Sequence, residues 1–157
     1  MTIAFSPETL KKFHEVVSRY PKKEAAMLPV LYLAQDEFGY LSQEAIDYVA
    51  KMMEFPPARV YGVVTFYTML NRKPIGRHHI QVCRTLSCAL TGSEKITAVL
   101  KSKLGIEVGA TTPDGKFTLS EVECLASCGT GPMMQINDDY YENLSEEKVE
   151  EILQRLK

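Results

Sequence analysis

The chain has 157 residues, of which 45% are hydrophobic and 24% are charged, a balance typical of a soluble protein with one domain, or with one small domain and a helical extension. Its formal net charge of −2 leaves no basic surplus to neutralise phosphates, which argues against binding to nucleic acid or to anionic membranes. The longest apolar run is far shorter than the roughly 20 residues that span a bilayer, so no membrane insertion is expected.

The first residues, MTIAFSPETLKKF, lack the basic start, apolar stretch and cleavage site of a secretory signal. We therefore expect the chain in a reducing compartment, either the cytoplasm or, if a targeting segment has been removed, an organelle matrix. Because persistent disulfides are rare in such compartments, the cysteines are expected to bind metal or to do redox work.

The N-terminal half has the periodicity of helices. Ser6, followed by Pro7 and Glu8, is a typical helix start, because serine caps the first turn, proline fits the first helical position and an acid suits the positive helix end. The segment KKEAAMLPVLYLAQDEFGY predicts a second helix, in which Pro29 causes a kink or marks the true start and Gly39 ends the helix. Its expected apolar face comprises Met27, Leu28, Leu31 and Tyr32.

Two further helices follow. Ser42 is placed to cap the third, and the segment FPPARV starts the fourth. The third helix carries apolar residues at helical spacing, namely Ile46, Val49, Ala50 and Met53. We expect the four helices to pack as a small bundle over residues 1–76.

In residues 77–157 the pattern changes to strands alternating with helices. The segments HHIQVC, FTLSEVEC and PMMQIN predict three strands, and DDYYENL predicts a turn with a short fourth strand. One helix is predicted from Cys88 to Leu104 with its stop at Gly105, and a last helix follows the capping residue Ser145. A linker between the halves is expected near NRKPIGRHH. The order β-α-β-β-β-α predicts a small sheet with helices packed on it, and the chain as a whole is expected to be an α/β (α+β) protein.

All four cysteines fall in two short segments. Cys83 and Cys88 lie in QVCRTLSCAL, and Cys124 and Cys128 lie in EVECLASCGTGP, each pair near the end of a predicted strand. If these two strands are neighbours in one sheet, both loops emerge at the same edge and the four sulfurs can converge. The pattern therefore predicts a shared centre.

Three kinds of centre are compatible with this pattern. Zinc prefers short knuckles such as C-x₂-C, whereas a [2Fe–2S] cluster needs two thiolates for each of its two irons and suits two separate loops. The spacings here are C-x₄-C and C-x₃-C, which favours iron–sulfur over zinc. A thiol–disulfide pair is the third alternative, although the chain lacks the C-x-x-C motif typical of thioredoxin-like oxidoreductases.

The motifs CRTLSC and ECLASC, together with LPVLYLAQDEFGYLSQEAIDYVAKMMEFPPARVYGVVTFYTML, resemble the thioredoxin-like [2Fe–2S] subunit of respiratory complex I, the NADH:ubiquinone oxidoreductase. The resemblance covers nearly the whole chain. It implies an N-terminal helical bundle followed by a thioredoxin-like [2Fe–2S] ferredoxin domain. It also implies that one [2Fe–2S] cluster is ligated by Cys83, Cys88, Cys124 and Cys128, and we expect each pair to hold one iron.

The resemblance further implies a role in electron transfer beside a larger flavoprotein subunit, which binds FMN and oxidises NADH. Other peripheral-arm subunits of complex I are expected partners, and the chain would be peripheral on the inner membrane through the complex. This chain has no G-x-G-x-x-G after a strand and no catalytic residue of its own is expected. The related small subunit of an NAD-linked hydrogenase or formate dehydrogenase, and a structural zinc module, remain alternatives.

The chain departs from the family pattern at two places, with Ala126 where glycine is common, and Gly-Thr-Gly-Pro at 129–132 where Val-Asn-Ala-Pro is common. Both changes lie beside the second cysteine pair, where backbone N–H donors tune the potential of a cluster. For Gly131–Pro132 a trans peptide bond is the default expectation, which only the fold resemblance challenges.

Several other side chains invite a functional interpretation. Arg84 either raises the cluster potential through its field or is simply solvated, and we expect the latter. The three histidines, His14, His78 and His79, are expected at the surface or at strand ends rather than as metal ligands. The apolar residues Phe66, Tyr67 and Met69 line a partner surface or, at least as readily, pack in the core or between the halves.

Overall fold

A computed structural model of the chain describes residues 3–156. The chain divides between Pro74 and Ile75 into two compact units. The sequence-based boundary between residues 76 and 77 lies close to this division, and the assignment of each half as a separate domain remains a prediction.

The first unit is built from α-helices. Within residues 3–74 these are α1 Pro7–Ser18, α2 Met27–Phe38, α3 Gln43–Met53 and α4 Pro57–Phe66, with a short 3₁₀ helix at Lys23–Ala26. The helix starts follow the predicted chemistry, because the Ser6 and Ser42 hydroxyls accept from the backbone N–H groups of Thr9 at 3.3 Å and Ala45 at 3.2 Å. Gly39 ends α2 at φ +79°, as predicted.

One helix face differs from expectation. Pro29 lies in the first turn of α2, so it marks the helix start rather than a kink. The predicted face included Tyr32, which is exposed, whereas the residues of α2 that are buried in the bundle core are Met27, Val30, Leu31 and Ala34. Tyr32 follows Leu31 by about 100° around the helix, and its phenol is an amphipathic group that tolerates the boundary with water.

The second unit is a four-stranded sheet with helices. Its elements are β1 His78–Cys83, α5 Leu86–Leu90, α6 Ser93–Leu104, β2 Phe117–Val122, β3 Met134–Ile136, β4 Asp139–Tyr141 and α7 Glu146–Arg155. The strand order is β2-β1-β3-β4, with β1 and β2 parallel and the other pairs antiparallel. The unit's core contains apolar residues of β1, α6 and α7, among them Ile80, Leu100 and Val149.

The structure corrects three expectations for this unit. The helix predicted from Cys88 to Leu104 is two helices, because Gly92 adopts φ +103° and interrupts it. The second strand ends at Val122 instead of continuing to Cys124, and the Gly131–Pro132 peptide bond is cis rather than trans. The predicted helix end at Gly105, with φ +66°, and the cap at Ser145 are confirmed.

Candidate metal centre

The two cysteine segments start side by side. In the parallel pair, Cys83 at the end of β1 is aligned with Val122 at the end of β2, and the Arg84 N–H donates to the Val122 carbonyl at 3.0 Å. The chain therefore leaves both strands at one edge of the sheet. Cys124 follows β2 by two residues. The strands before the two cysteine segments are therefore neighbours in one sheet, which was the condition for the four sulfurs to converge.

Cys83 is fixed by the sheet and is only 3% exposed. Its N–H donates to the Met133 carbonyl at 3.2 Å. Its Sγ lies 3.1 Å from the Glu123 carbonyl, an acceptor for the thiol, and 3.4 Å from the Thr85 hydroxyl, which can donate to a thiolate. Burial raises the pKa of Cys83, but hydrogen bonds from Thr85 and from the Leu125 N–H outweigh it, so that the pKa lies below its ordinary value.

Cys88 points inward from the short helix α5 and is 1% exposed, whereas Leu86 and Leu90 on the same helix are 75% and 79% exposed. Burial raises the pKa of the Cys88 thiol, and the neighbouring Cys83 thiol raises it further. Backbone packs closely on this cysteine. A Cβ at Gly131 would lie 2.9 Å from the Thr91 Oγ1 and 3.3 Å from the Cys88 Sγ.

Cys124 and Cys128 lie in an exposed segment. The Cys124 Sγ accepts a hydrogen bond from the Ala126 N–H at 3.3 Å, and Ala126 has the left-handed value φ +58°. Cys128 begins a 3₁₀ turn that ends at Thr130. A backbone N–H aimed at a cysteine sulfur is the kind of donor that stabilises thiolate charge in iron–sulfur sites.

The Arg84 and Glu123 side chains connect the two cysteine segments. The guanidinium Nε and Nη2 lie 3.1 and 2.6 Å from the same Glu123 carboxylate oxygen. Arg84 follows Cys83 and Glu123 precedes Cys124, so this exposed ion pair joins the two segments close to the ends of β1 and β2. Arg84 is therefore paired with a carboxylate instead of being solvated alone. The sequence does not indicate this contact, because Arg84 and Glu123 are far apart along the chain.

Two further side chains lie beside the second cysteine pair without having been predicted. The Thr130 hydroxyl donates to the Glu142 carboxylate at 2.6 Å, and the Ser127 hydroxyl donates to the same oxygen. These two hydrogen bonds, the one from Ser127 being the stronger influence, hold the pKa of Glu142 below its ordinary value. The sequence shows Ser127 and Thr130 beside the second cysteine pair. It does not show that their acceptor is Glu142, which follows β4.

The four cysteines do not form a site for a single metal ion. Negative charge on Cys83 or on Cys128 raises the pKa of Cys88. Within residues 3–156, no three or more His, Cys, Asp or Glu side chains are close enough to hold a single metal ion. Two pairs of thiolates would suit a two-iron cluster, which needs four in all, whereas the single-ion site that zinc requires is not formed among residues 3–156.

The histidines and the apolar residues occupy other positions. His79 lies in the inner strand β1, where it is buried, and its Nε2 lies 2.9 Å from the Ser120 hydroxyl. Phe66 at the end of α4 is 77% exposed, and Tyr67 and Met69 are exposed as well. The alternative that these three residues pack in the core is therefore wrong. Among the helices of residues 3–156, none has both the length and the apolar character of a membrane span.

Comparison with known proteins defines the class of this chain. The family model for the thioredoxin-like [2Fe–2S] ferredoxin matches residues 13–157. The chain belongs to this family, and its cofactor is one [2Fe–2S] cluster, as predicted.

Two similar relatives have names that describe their function. The chain is 48% identical over 157 residues to an NADH-quinone oxidoreductase subunit of Rickettsia prowazekii, covering 98% of this chain and 89% of that protein. It is 46% identical over 156 residues to the mitochondrial NADH dehydrogenase [ubiquinone] flavoprotein 2 of Dictyostelium discoideum, covering 98% of this chain and 63% of that protein.

Among solved structures, the air-oxidised NAD⁺-reducing [NiFe]-hydrogenase is similar in fold. The TM-score is 0.73 at 18% identity, and the match covers 83% of this chain and 22% of that chain.

Proposed function

We propose that this chain is the electron-transfer subunit of an NADH:quinone oxidoreductase and that Cys83, Cys88, Cys124 and Cys128 ligate its [2Fe–2S] cluster. The observation that carries the proposal is the parallel β1–β2 pair, from whose common edge both cysteine segments start. The assignment to this complex is supported by the names of the Rickettsia and Dictyostelium relatives and by their identity to this chain over 98% of its length.

The residues of this chain would hold and tune the cluster. A [2Fe–2S] cluster supplies reversible one-electron transfer without proton transfer. Cys83 and Cys88 provide a buried pair of thiolates, and Cys124 and Cys128 provide an exposed pair. The Ala126 N–H beside Cys124 offsets negative charge, which favours the reduced state.

A larger flavoprotein subunit that binds FMN and NADH is the partner that we propose. From Phe55 to Ser93 the chain has no Asp or Glu, but five basic residues, namely Arg59, Arg72, Lys73, Arg77 and Arg84. Of these, Arg84 is paired with Glu123, and Arg59 lies 3.8 Å from Glu24. Within this acid-free segment the exposed apolar side chains include Phe66, Leu86 and Leu90. Exposed apolar side chains with cationic residues nearby in the chain suit a partner surface that is apolar with an acidic rim. Through this complex the chain would be peripheral on the inner membrane.

This partner assignment predicts a selective binding defect. Phe66→Ser should weaken binding to the flavoprotein subunit by about tenfold or more, the usual cost of losing a buried aromatic anchor, while the thermal midpoint of the isolated chain is unchanged. Tyr20→Ser, which removes an exposed aromatic just after α1 and outside the acid-free segment, is the matched control. Equal binding by both variants would contradict the assignment of Phe66 to the partner surface.

The parent complex can be tested by isolating the tagged chain with its natural partners. An NADH-oxidising flavoprotein together with membrane-arm subunits is the expected result. A hydrogenase or molybdenum subunit in their place would contradict the proposal. The hydrogenase neighbour, at 18% identity, supports the fold alone.

A further inference from the structure

The carboxylate of Glu142 lies where it can control the segment that carries Cys128. Glu142 directly follows β4, and its Oε1 accepts from the hydroxyls of Ser127 and Thr130, the latter at 2.6 Å. The two hydroxyl oxygens lie 2.6 Å apart. Ser127 precedes Cys128 and Thr130 follows it by two residues, so one carboxylate oxygen holds the chain on both sides of the cysteine.

Backbone hydrogen bonds fix the carboxylate's own segment against the same turn. The Asn143 N–H donates to the Thr130 carbonyl at 2.7 Å, and the Leu144 N–H donates to the Pro132 carbonyl at 2.9 Å. The Lys148 Nζ, from the first turn of α7, donates to the Glu142 carbonyl at 2.5 Å. Glu142 is therefore anchored to the sheet and to α7 and can act as a fixed acceptor.

Around Cys128 itself, the turn is held by few backbone hydrogen bonds, namely the Thr130 N–H to the Ser127 carbonyl at 3.2 Å and the Asn143 N–H to the Thr130 carbonyl at 2.7 Å. Its 3₁₀ helix is one turn long, and such turns have weak hydrogen-bond geometry of their own. Gly129, which precedes Thr130 and has open space around it, increases backbone freedom there. Cys128 is exposed, so burial does not fix its side chain as it fixes Cys83 and Cys88. The hydroxyl–carboxylate contacts add a side-chain restraint on both sides of Cys128.

We propose that Glu142 is a positioning residue for the cluster, which holds the Cys128 thiolate in its ligating position through the Ser127 and Thr130 hydroxyls. The inference rests on the proposed function, since it requires Cys128 to be a ligand. Hydrogen bonds to a charged acceptor are worth more than neutral ones, and here two of them converge on one oxygen.

The test compares cluster retention among variants of the full chain. The readouts are the rate of cluster loss to an iron chelator, followed by visible absorption, and the EPR g-values of the dithionite-reduced protein. Glu142→Ala should lose its cluster about tenfold faster or more, which corresponds to losing one charge-assisted hydrogen bond, and should shift the g-values. Glu142→Gln retains an acceptor oxygen and should stay within about threefold of the unmodified protein.

Two further variants make the test specific. Glu121→Ala removes an exposed carboxylate at the end of β2, where no hydrogen bond to it is found among residues 3–156, and should leave both readouts unchanged. The double variant Ser127→Ala/Thr130→Val removes the donors and should reproduce the Glu142→Ala result. Adding Glu142→Ala to the double variant should cause no further loss, because residues acting through one interaction are not additive.

The inference is overturned if Glu142→Ala and the double variant both retain the cluster at the unmodified rate with unchanged g-values, or if their effects add. Failure of Glu142→Ala to take up any cluster supports it, provided that Glu142→Gln takes up a full complement. An unmodified chain that binds no cluster would instead overturn the proposed function, so the two failures are distinguishable.

Discussion

Cys83 and Val122 are aligned as the last residues of two parallel neighbouring strands. This pairing means that the residues after Cys83 and those after Val122 continue from the same edge of the sheet. The first segment turns into α5 and buries Cys88, while the second remains exposed and carries Cys124 and Cys128. One pair of proposed ligands is thus fixed by burial, whereas the other lies at the surface, where the Cys124 Sγ accepts from the Ala126 N–H.

Substitution of a proposed ligand should damage the cluster. Cys83→Ser should bleach the visible absorption or distort the EPR signal, because a hydroxyl is a harder and less readily ionised ligand than a thiol. Ala89→Ser places the same hydroxyl at an exposed position beside Cys88 and is the matched control. If the spectra of Cys83→Ser and the control are identical, Cys83 is not a ligand.

Gly131→Ala should disturb the buried side of the centre. The new methyl would lie 2.9 Å from the Thr91 Oγ1, which itself donates to the Ser87 carbonyl at 2.9 Å and is not free to move away. Overpacking of this kind costs about 1–3 kcal/mol. We expect a lower thermal midpoint and a shifted cluster spectrum, since the Cys88 Sγ would lie only 3.3 Å from the same methyl.

Gly129→Ala is the control for this substitution. A Cβ at Gly129 meets nothing within 4 Å, so the variant should keep the midpoint and the spectrum of the unmodified chain. The double variant Gly131→Ala/Thr91→Ala should recover part of the loss by removing the closest contact. Equal effects of the two glycine substitutions would show that the contact is not the cause.

His79 should make stability depend on pH. Burial lowers its pKa below the ordinary value of 6.5, so the unfolded chain binds the proton more readily than the folded chain. The stabilisation that neutral His79 gives the folded state is therefore complete above about pH 6.5. It is lost as the pH falls from 6.5 through the lowered pKa of the folded state. The slope of unfolding free energy against pH from this group is at most about 1.4 kcal/mol per pH unit.

Urea unfolding between about pH 5 and 8 measures this slope. His79→Gln should flatten the profile below about pH 6.5, although it lowers stability overall by disturbing a buried site. His14→Gln, which removes an exposed imidazole from α1, is the comparison. The same flattening in both variants would contradict the role of His79.

Much of the fold could be predicted because its signals are local. The capping serines Ser6, Ser42 and Ser145 satisfy helix N–H groups within three residues, and Gly39 and Gly105 end helices through their own backbone conformation. Strand periodicity placed each cysteine pair near a strand end, but that the two strands are neighbours was only a condition, which the parallel β1–β2 pairing meets.

The missed features depend on tertiary packing or on competing local preferences. Gly92 divides the helix that was predicted to run from Cys88 to Leu104. Apolar periodicity alone does not reveal such an interruption. His79 is buried because β1 is an inner strand of the sheet. Glu142 reaches the second cysteine segment only because β3 and β4 return the chain to it, and the ion pair of Arg84 with Glu123 likewise joins residues far apart in sequence.

The most direct test of the account is the iron, inorganic sulfide and EPR content of chain isolated anaerobically. Two irons and two sulfides per chain are expected, as is a rhombic S = 1/2 signal after dithionite reduction, because a [2Fe–2S] cluster on four cysteines has this composition and takes up one electron. Colourless protein without inorganic sulfide, or a silent EPR spectrum with one zinc per chain, would contradict it.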